Sequence, residues 1–484
     1  MEVSVGRGMR RSPFLIAALT LTLSAACIGP DAADPRPLLD RIAYGPSPDD
    51  ANRIRAIGAR AFIEEQLHPE SIDDSAFEAR LASYPTVGMS LADIVSNQMS
   101  TPDVPMLELI DAKILRAAYS RRQLEAILTD FWFNHFHVRD AGITVGSYER
   151  DVVRAHVFGR FEDMLLAVAR SPAMAIYLNN MENIRDGLVV DGVERGTNEN
   201  YGRELLELHT VGLAAGYTQQ DVIALARCFT GWNIDFTTPD GFTYIDWLHD
   251  KNPKQVMGLA IGANGGEDDG RRALTYLAAH PSTAAQIARK LVRRFVDENP
   301  PAALVDAATD TFLRTGGDLR EVMRTILLSD EFLARPPRTK LKRPMVLIAS
   351  TIRALRLEIQ DDVEFHRSYL WLLGELPYYA GDPRGYSENS SQWLAPGALL
   401  SRLEFVRLAA ERAKTAGLDL GGSGSEPSLD LINGIKRRLS LALSSSGTLQ
   451  PIVDYAEWLG VFPAETRAVE TAGLLLSSPE FQYH

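Results

Sequence analysis

The chain has 484 residues, 45% of them hydrophobic, and a formal net charge of −13. That hydrophobic share suits a globular chain that buries a core, and the acidic balance argues against nucleic acid or an anionic lipid surface as a main partner. Two cysteines exclude a disulfide framework and Cys-based zinc or thiol chemistry. The lack of a Walker loop, G-x-G-x-x-G, G-x-S-x-G or C-x-x-C-H disfavours nucleotide-dependent, α/β-hydrolase and c-type haem chemistry.

The first element is an export signal, Arg10 to Cys27. Arg7, Arg10 and Arg11 form a basic flank, Phe14 to Leu23 is apolar, and Ser24-Ala25-Ala26 supply a small-residue exit before Cys27, the three-part plan of a secretory signal. The apolar run is about half the ~20 residues that span a bilayer. A cysteine directly after Leu23-Ser24-Ala25-Ala26 resembles a bacterial lipoprotein cleavage box, with its leucine one place early. The expectation is a signal peptide over 1–26, lipid on Cys27, a linker over 27–36 and one large helical domain over 37–484, in the periplasm or at the cell surface. Export with Cys27 lipidated leaves Cys228 without a partner. Its setting in ALARCF predicts an inert buried thiol.

Apolar residues then recur at three- and four-residue spacing over Pro37 to Leu67, Leu107 to Phe133, Arg150 to Arg170, Glu199 to Leu213, Gln219 to Phe229, Arg271 to Ala279, Ser282 to Val296, Leu319 to Leu328, Pro344 to Leu355 and Ala398 to Ala416, which predicts helices. Trp232 to Phe236 and Phe242 to Trp247 flank Pro239-Asp240-Gly241 and predict a β-hairpin. Ala260 to Gly270, Asp419 to Pro427 and Ser444 to Thr448 read as surface loops. Ile326 to Phe332 and Leu474 to Phe481 echo each other, each reading as a helix end followed by a capped new turn. The fold class is mainly α, a multi-helical globular bundle with a small β-hairpin insertion near residues 232–247.

The order of motifs is more specific than any one of them. Arg41-Ile-Ala-Tyr-Gly45 is followed by Phe131-Trp-Phe-Asn-His135-Phe-His137-Val, then by Asn198 to His209 and Gly216 to Asp221. Next come Ala226 to Trp232, His249-Asp250 with Lys254 and Gly258, His280-Pro-Ser-Thr283 with Lys290-Leu-Val, and finally Trp393 and Leu399 to Arg402. From Leu38 to Phe481 this series resembles the bacterial family called domain of unknown function 1800. It departs from the family pattern at Leu373 to Trp393, where LGELPYYAGDPRGYSENSSQW replaces a more proline-rich approach to the tryptophan. The resemblance implies an exported, mainly helical protein. It also implies a possible exported partner of the family called domain of unknown function 1501, which looks like a sulfatase or phosphatase relative. It implies no activity.

Chemistry is therefore read from residues. On a helix, Asn200, Arg203, Glu204 and Glu207 share one face, with Leu205 and His209 opposite. Paired carboxylates beside an arginine suit acid–base work or a metal, and equally a solvated face with an Arg203–Glu207 pair. His135 and His137 can meet one metal from an extended backbone, or pack against the aromatics around them. His249-Asp250 leaves the hairpin, as a ligand or base oriented by a carboxylate or as a surface turn; Lys254 would bind an anion or pair with Asp250. Ser282 or Thr283 caps a helix, leaving His280 no chemistry. Trp232, Phe236, Tyr244 and Trp247 would pack the hairpin or stack on a sugar. The candidate metal ligands are thus His135, His137 and His249, the candidate acid–base groups Glu204, Glu207 and Asp250, and the candidate cofactor a divalent transition metal. Two functions remain open: an envelope hydrolase or oxidoreductase, and a non-catalytic binding or assembly partner of a neighbouring exported enzyme.

Overall fold

The computed structural model describes residues 34–97, 103–139, 141–190, 192–334, 340–441 and 446–484. The expected export signal and Cys27 lie outside the described residues. The fold is mainly α with three two-stranded antiparallel ribbons. One contiguous hydrophobic cluster runs from Leu38 to Phe481. Among the described residues no helix is long and apolar enough to cross a membrane.

The predicted helices are present, but the longer ones are broken. Pro37 to Leu67 becomes Arg36–Ile42, Pro48–Ile57 and Ala59–Leu67. Gly58 closes the second at φ 85°, a backbone value that non-glycine residues rarely adopt. Leu107 to Phe133 becomes Asp103–Tyr119 and Gln123–His135. Gln123 makes the corner, its side-chain amide donating to the carbonyls of Ala117 and Ser120. Sequence periodicity missed Ala302–Thr315, Val363–Leu372, Ser428–Arg438 and Ala464–Ser477.

Helix Gln123–His135 runs through the core and buries Leu124, Leu128, Trp132 and Phe133. Pro281–Phe295, Ala302–Thr315 and Leu319–Leu327 pack successively on one another, and Pro396–Thr415 packs along Ala464–Ser477. The two echoing segments are the expected device: Ser329 Oγ accepts from the Phe332 amide to open Asp330–Leu333, and Pro479 opens Pro479–Gln482. The last residue is tied to the first helix, because a His484 ring nitrogen bonds the Asp40 carbonyl at 2.8 Å.

The predicted hairpin pairs Trp232–Ile234 with Phe242–Tyr244, Trp232 opposite Tyr244. Trp232 is its anchor, 2% exposed and edge-on to Phe229 and Phe242. Gly270 leaves the room for its indole, since a Cβ there would lie 2.7 Å from the ring. Losing that side chain would cost about 3–5 kcal/mol. Two further ribbons, Leu188–Val190 with Val193–Arg195 and Lys254–Val256 with Leu259–Ile261, are too short to show a strand period in sequence.

The segment Leu373 to Trp393, which the sequence reading set apart, caps the end of helix Gln123–His135. The amide of Tyr386 donates to Asn134 Oδ1 at 3.2 Å. Its Glu375 and Glu388, with Asp130 and Glu149, face Lys113, Arg294, Lys340 and Arg343 in a buried ion network. Four anions meet four cations there, so the burial is electrically balanced.

Candidate functional site

The predicted site residues fall into three separate groups. The first surrounds His135. Its Nε2–H donates to the His209 carbonyl at 3.1 Å, and its Nδ1 accepts from Lys290 Nζ at 2.9 Å. Lys290 also donates to the Leu208 carbonyl. Those roles describe a neutral ring, and burial, helped by the nearby ammonium, holds its pKa well below the usual range. Burial likewise pushes His209 down to about 3 and Lys290 down to about 8. Trp132, Phe136 and Phe161 pack around the His135 ring. His137 is buried, edge-on to Phe133 and Tyr177. The helix continues to His135, and the two rings pack against different aromatic side chains, His135 against Trp132, Phe136 and Phe161 and His137 against Phe133 and Tyr177.

The second group lies behind the hairpin. His249 is completely buried. Its Nδ1 meets the Thr230 carbonyl at 2.7 Å and its Nε2 meets Asp269 Oδ2 at 3.1 Å. The same oxygen accepts from Lys254 Nζ at 2.7 Å. Lys254 and Asp269 are fully buried too. Lys254 also donates to the carbonyl of Asp250, so it pairs with Asp269 and not, as expected, with the Asp250 carboxylate. That carboxylate instead accepts from Arg227 Nε at 2.7 Å and from the Asn252 amide at 2.8 Å. Burial opposes its charge, but these bonds outweigh it and set its pKa at about 2. Asp250 is therefore a fixed anion that orients Arg227. Asp269 and Thr230 are the partners that sequence reasoning missed. Both lie about 20 positions from His249, and Asp269 sits in a Gly- and Asp-rich stretch that reads as surface.

The third group is open. Asn200–Glu204 is α-helical and continues as a π turn, Leu205–His209. The extra residue per turn moves Glu207 out of reach of Arg203, which pairs with Glu199 at 2.7 Å and Gln219 at 3.1 Å. The expected Arg203–Glu207 pair is thus absent. Glu204 and Glu207 are half-buried. Burial, then the neighbouring Glu207 charge, raises the Glu204 pKa. Asp382, on the segment Leu373 to Trp393, is close enough to add to this effect. The hydrogen bond from Arg384 lowers the pKa of Asp382 itself.

Among the described residues no group of three or more His, Cys, Asp or Glu side chains is placed to hold a metal ion. Cys228 is buried and donates to the Ala224 carbonyl, and burial pushes its thiol up to about 12, as expected of an inert thiol. His280 itself caps its helix, its Nδ1 accepting from the Ser282 amide; the cap expected from Ser282 or Thr283 falls two or three positions earlier.

A family model described as Protein of unknown function (DUF1800) matches residues 37–483. The chain belongs to that family. No curated protein and no solved structure gives a match.

Proposed function

We propose that the protein is a non-catalytic binding component of the bacterial cell envelope, exported by its N-terminal signal and held by lipid on Cys27. The observation that carries this reading is how the motif polar residues are used. His135 and His249 sit in two separate closed centres, each with both ring nitrogens matched to a protein atom. Asp250 is matched to Arg227 and its own loop. Groups committed in this way hold a shape, and the shape is what a partner or ligand reads. A neighbouring exported protein of the family called domain of unknown function 1501 is the protein partner this reading names, and an extracellular polymer is the alternative ligand.

The test is co-sedimentation of the purified protein, free of lipid, with isolated envelopes. Saturable binding that survives Glu204→Gln and Glu207→Gln is expected. Absence of saturable binding would overturn the reading. Mass spectrometry of the protein from its native host tests the tether: a diacylated Cys27 N-terminus is expected, and an unmodified N-terminus beyond Cys27 would overturn it.

One observation favours a second reading, a metal-free acid–base enzyme. Among the described residues Glu204 and Glu207 make no hydrogen bond or ion pair, and Glu204 is biased toward its protonated form beside Asp382, which is biased toward its ionised form. Carboxyls whose pKa values are pushed apart suit an acid and a base. A product formed from an envelope polymer by wild type but not by Glu204→Gln would establish this second reading.

A further inference from the structure

The hairpin exit carries a cleft that neither the buried networks nor the carboxylate group explains. It encloses about 720 Å³ between Arg185, Asp186, Arg227, Trp247, Asp250 and Lys251. Trp247 forms one wall. It lies in the short turn Asp246–Leu248 and is 61% exposed, whereas Trp232 of the same hairpin is core. Among the described residues its indole packs against no other aromatic ring. Trp371 and Trp458 are similarly exposed, and what sets Trp247 apart is that it lines this cleft.

The cations around it differ in how far they are committed. Arg227 is matched to Asp250 and Lys251 to Asp246. Arg185 pairs with no carboxylate among the described residues. Its Nε donates to the Trp247 carbonyl at 3.0 Å and its amide to the Leu248 carbonyl at 2.8 Å. Both bonds tie the arginine to the turn that carries the tryptophan, and they leave the outer edge of the guanidinium open. The floor is rigid, since His249, directly after the turn, is locked to Thr230 and Asp269.

We infer that this cleft binds a saccharide bearing a carboxylate, its ring face on the Trp247 indole and its carboxylate on the outer edge of Arg185. An apolar plate beside an oriented polar group is how concave sites combine affinity with orientation, and the planar guanidinium fork matches a carboxylate. The net negative charge of the chain does not oppose this. Around the cleft Arg227 is matched by Asp250 and Lys251 by Asp246, so the local charge is near balance, and charges beyond about 10 Å are screened at ordinary ionic strength. The inference rests on the binding reading and gives it a ligand.

The test is isothermal titration calorimetry of the purified protein with trigalacturonate, and with cellotriose as the neutral control. Trigalacturonate is expected to bind and cellotriose to bind at least about tenfold more weakly. Trp247→Ala should weaken trigalacturonate about tenfold or more, and Arg185→Gln should abolish the preference for the acidic sugar. Trp458→Ala, at another exposed tryptophan (57% exposed), should change nothing. Trp247 and Arg185 are both exposed, and circular dichroism checks that the variants fold. Failure of wild type to bind trigalacturonate, equal binding of cellotriose, or binding indifferent to both cleft variants would overturn the cleft assignment. The binding reading would then stand on envelope co-sedimentation alone. Cleavage of trigalacturonate that is lost in Trp247→Ala would keep the cleft and overturn the non-catalytic reading.

Discussion

Asp269 divides one oxygen, Oδ2, between His249 and Lys254, and all three side chains are sealed from solvent. Asp269→Asn keeps the shape and removes the charge, leaving a buried ammonium without its anion. A loss of about 3–5 kcal/mol in urea denaturation is expected; a change within about 0.5 kcal/mol would show the network to be marginal. Buried His209 also sets a pH dependence. His209 is neutral in the folded protein down to about 3, whereas an unfolded histidine titrates near ~6.5. Between those values the unfolded chain takes up a proton that the fold refuses. The contribution is complete above the unfolded value and is lost as pH falls toward 3, by about 1.4 kcal/mol per pH unit per proton. His209→Gln should therefore reduce proton uptake on unfolding at pH 5 by about one proton, read from denaturation curves at neighbouring pH values. At this scale the sequence located the histidines but not their partners. The His249–Asp250 adjacency invites pairing, yet the backbone leaves the hairpin so that Asp250 turns to Arg227 and the imidazole turns inward to Asp269.

Among the elements, the hairpin and the helix starts were the most legible, because their signals are local. Trp232 to Trp247 carries alternating aromatics around a proline–aspartate–glycine turn, and Ser329 and Pro479 mark new helical turns where they occur. Interruptions inside long apolar runs were not legible. The π turn Leu205–His209 has an unremarkable helical pattern, and its carbonyls are taken by residues distant in sequence: Gln286 and Lys290 donate to the Leu208 carbonyl and His135 to the His209 carbonyl. The segment Leu373 to Trp393 looked variable, yet it covers the core helix. Gly385 in it has φ +69°, and a Cβ there would fall 2.6 Å from the Asn134 carbonyl oxygen. Gly385→Ala should lift this segment from the helix end and cost about 1–3 kcal/mol. Faster hydrogen exchange at the Tyr386 amide would register the change, and unaltered protection would contradict the assigned contact.

Over the whole molecule, one hydrophobic cluster ties the first helix to the last, so the surface features are held by a common core. The net charge was legible at this scale. The cleft was not, because it needs Arg185, Arg227 and the residues around Trp247 brought together from three stretches of chain. The proposed binding function requires that this frame leave what it binds chemically unchanged. The most direct measurement is mass spectrometry of isolated envelope polysaccharide after incubation with the purified protein and with the Glu204→Gln, Glu207→Gln double variant. The account predicts polymer of unchanged mass from both. Shortened or oxidised fragments produced by the wild type and missing with the variant would contradict it and return the carboxylate pair to the centre of the function.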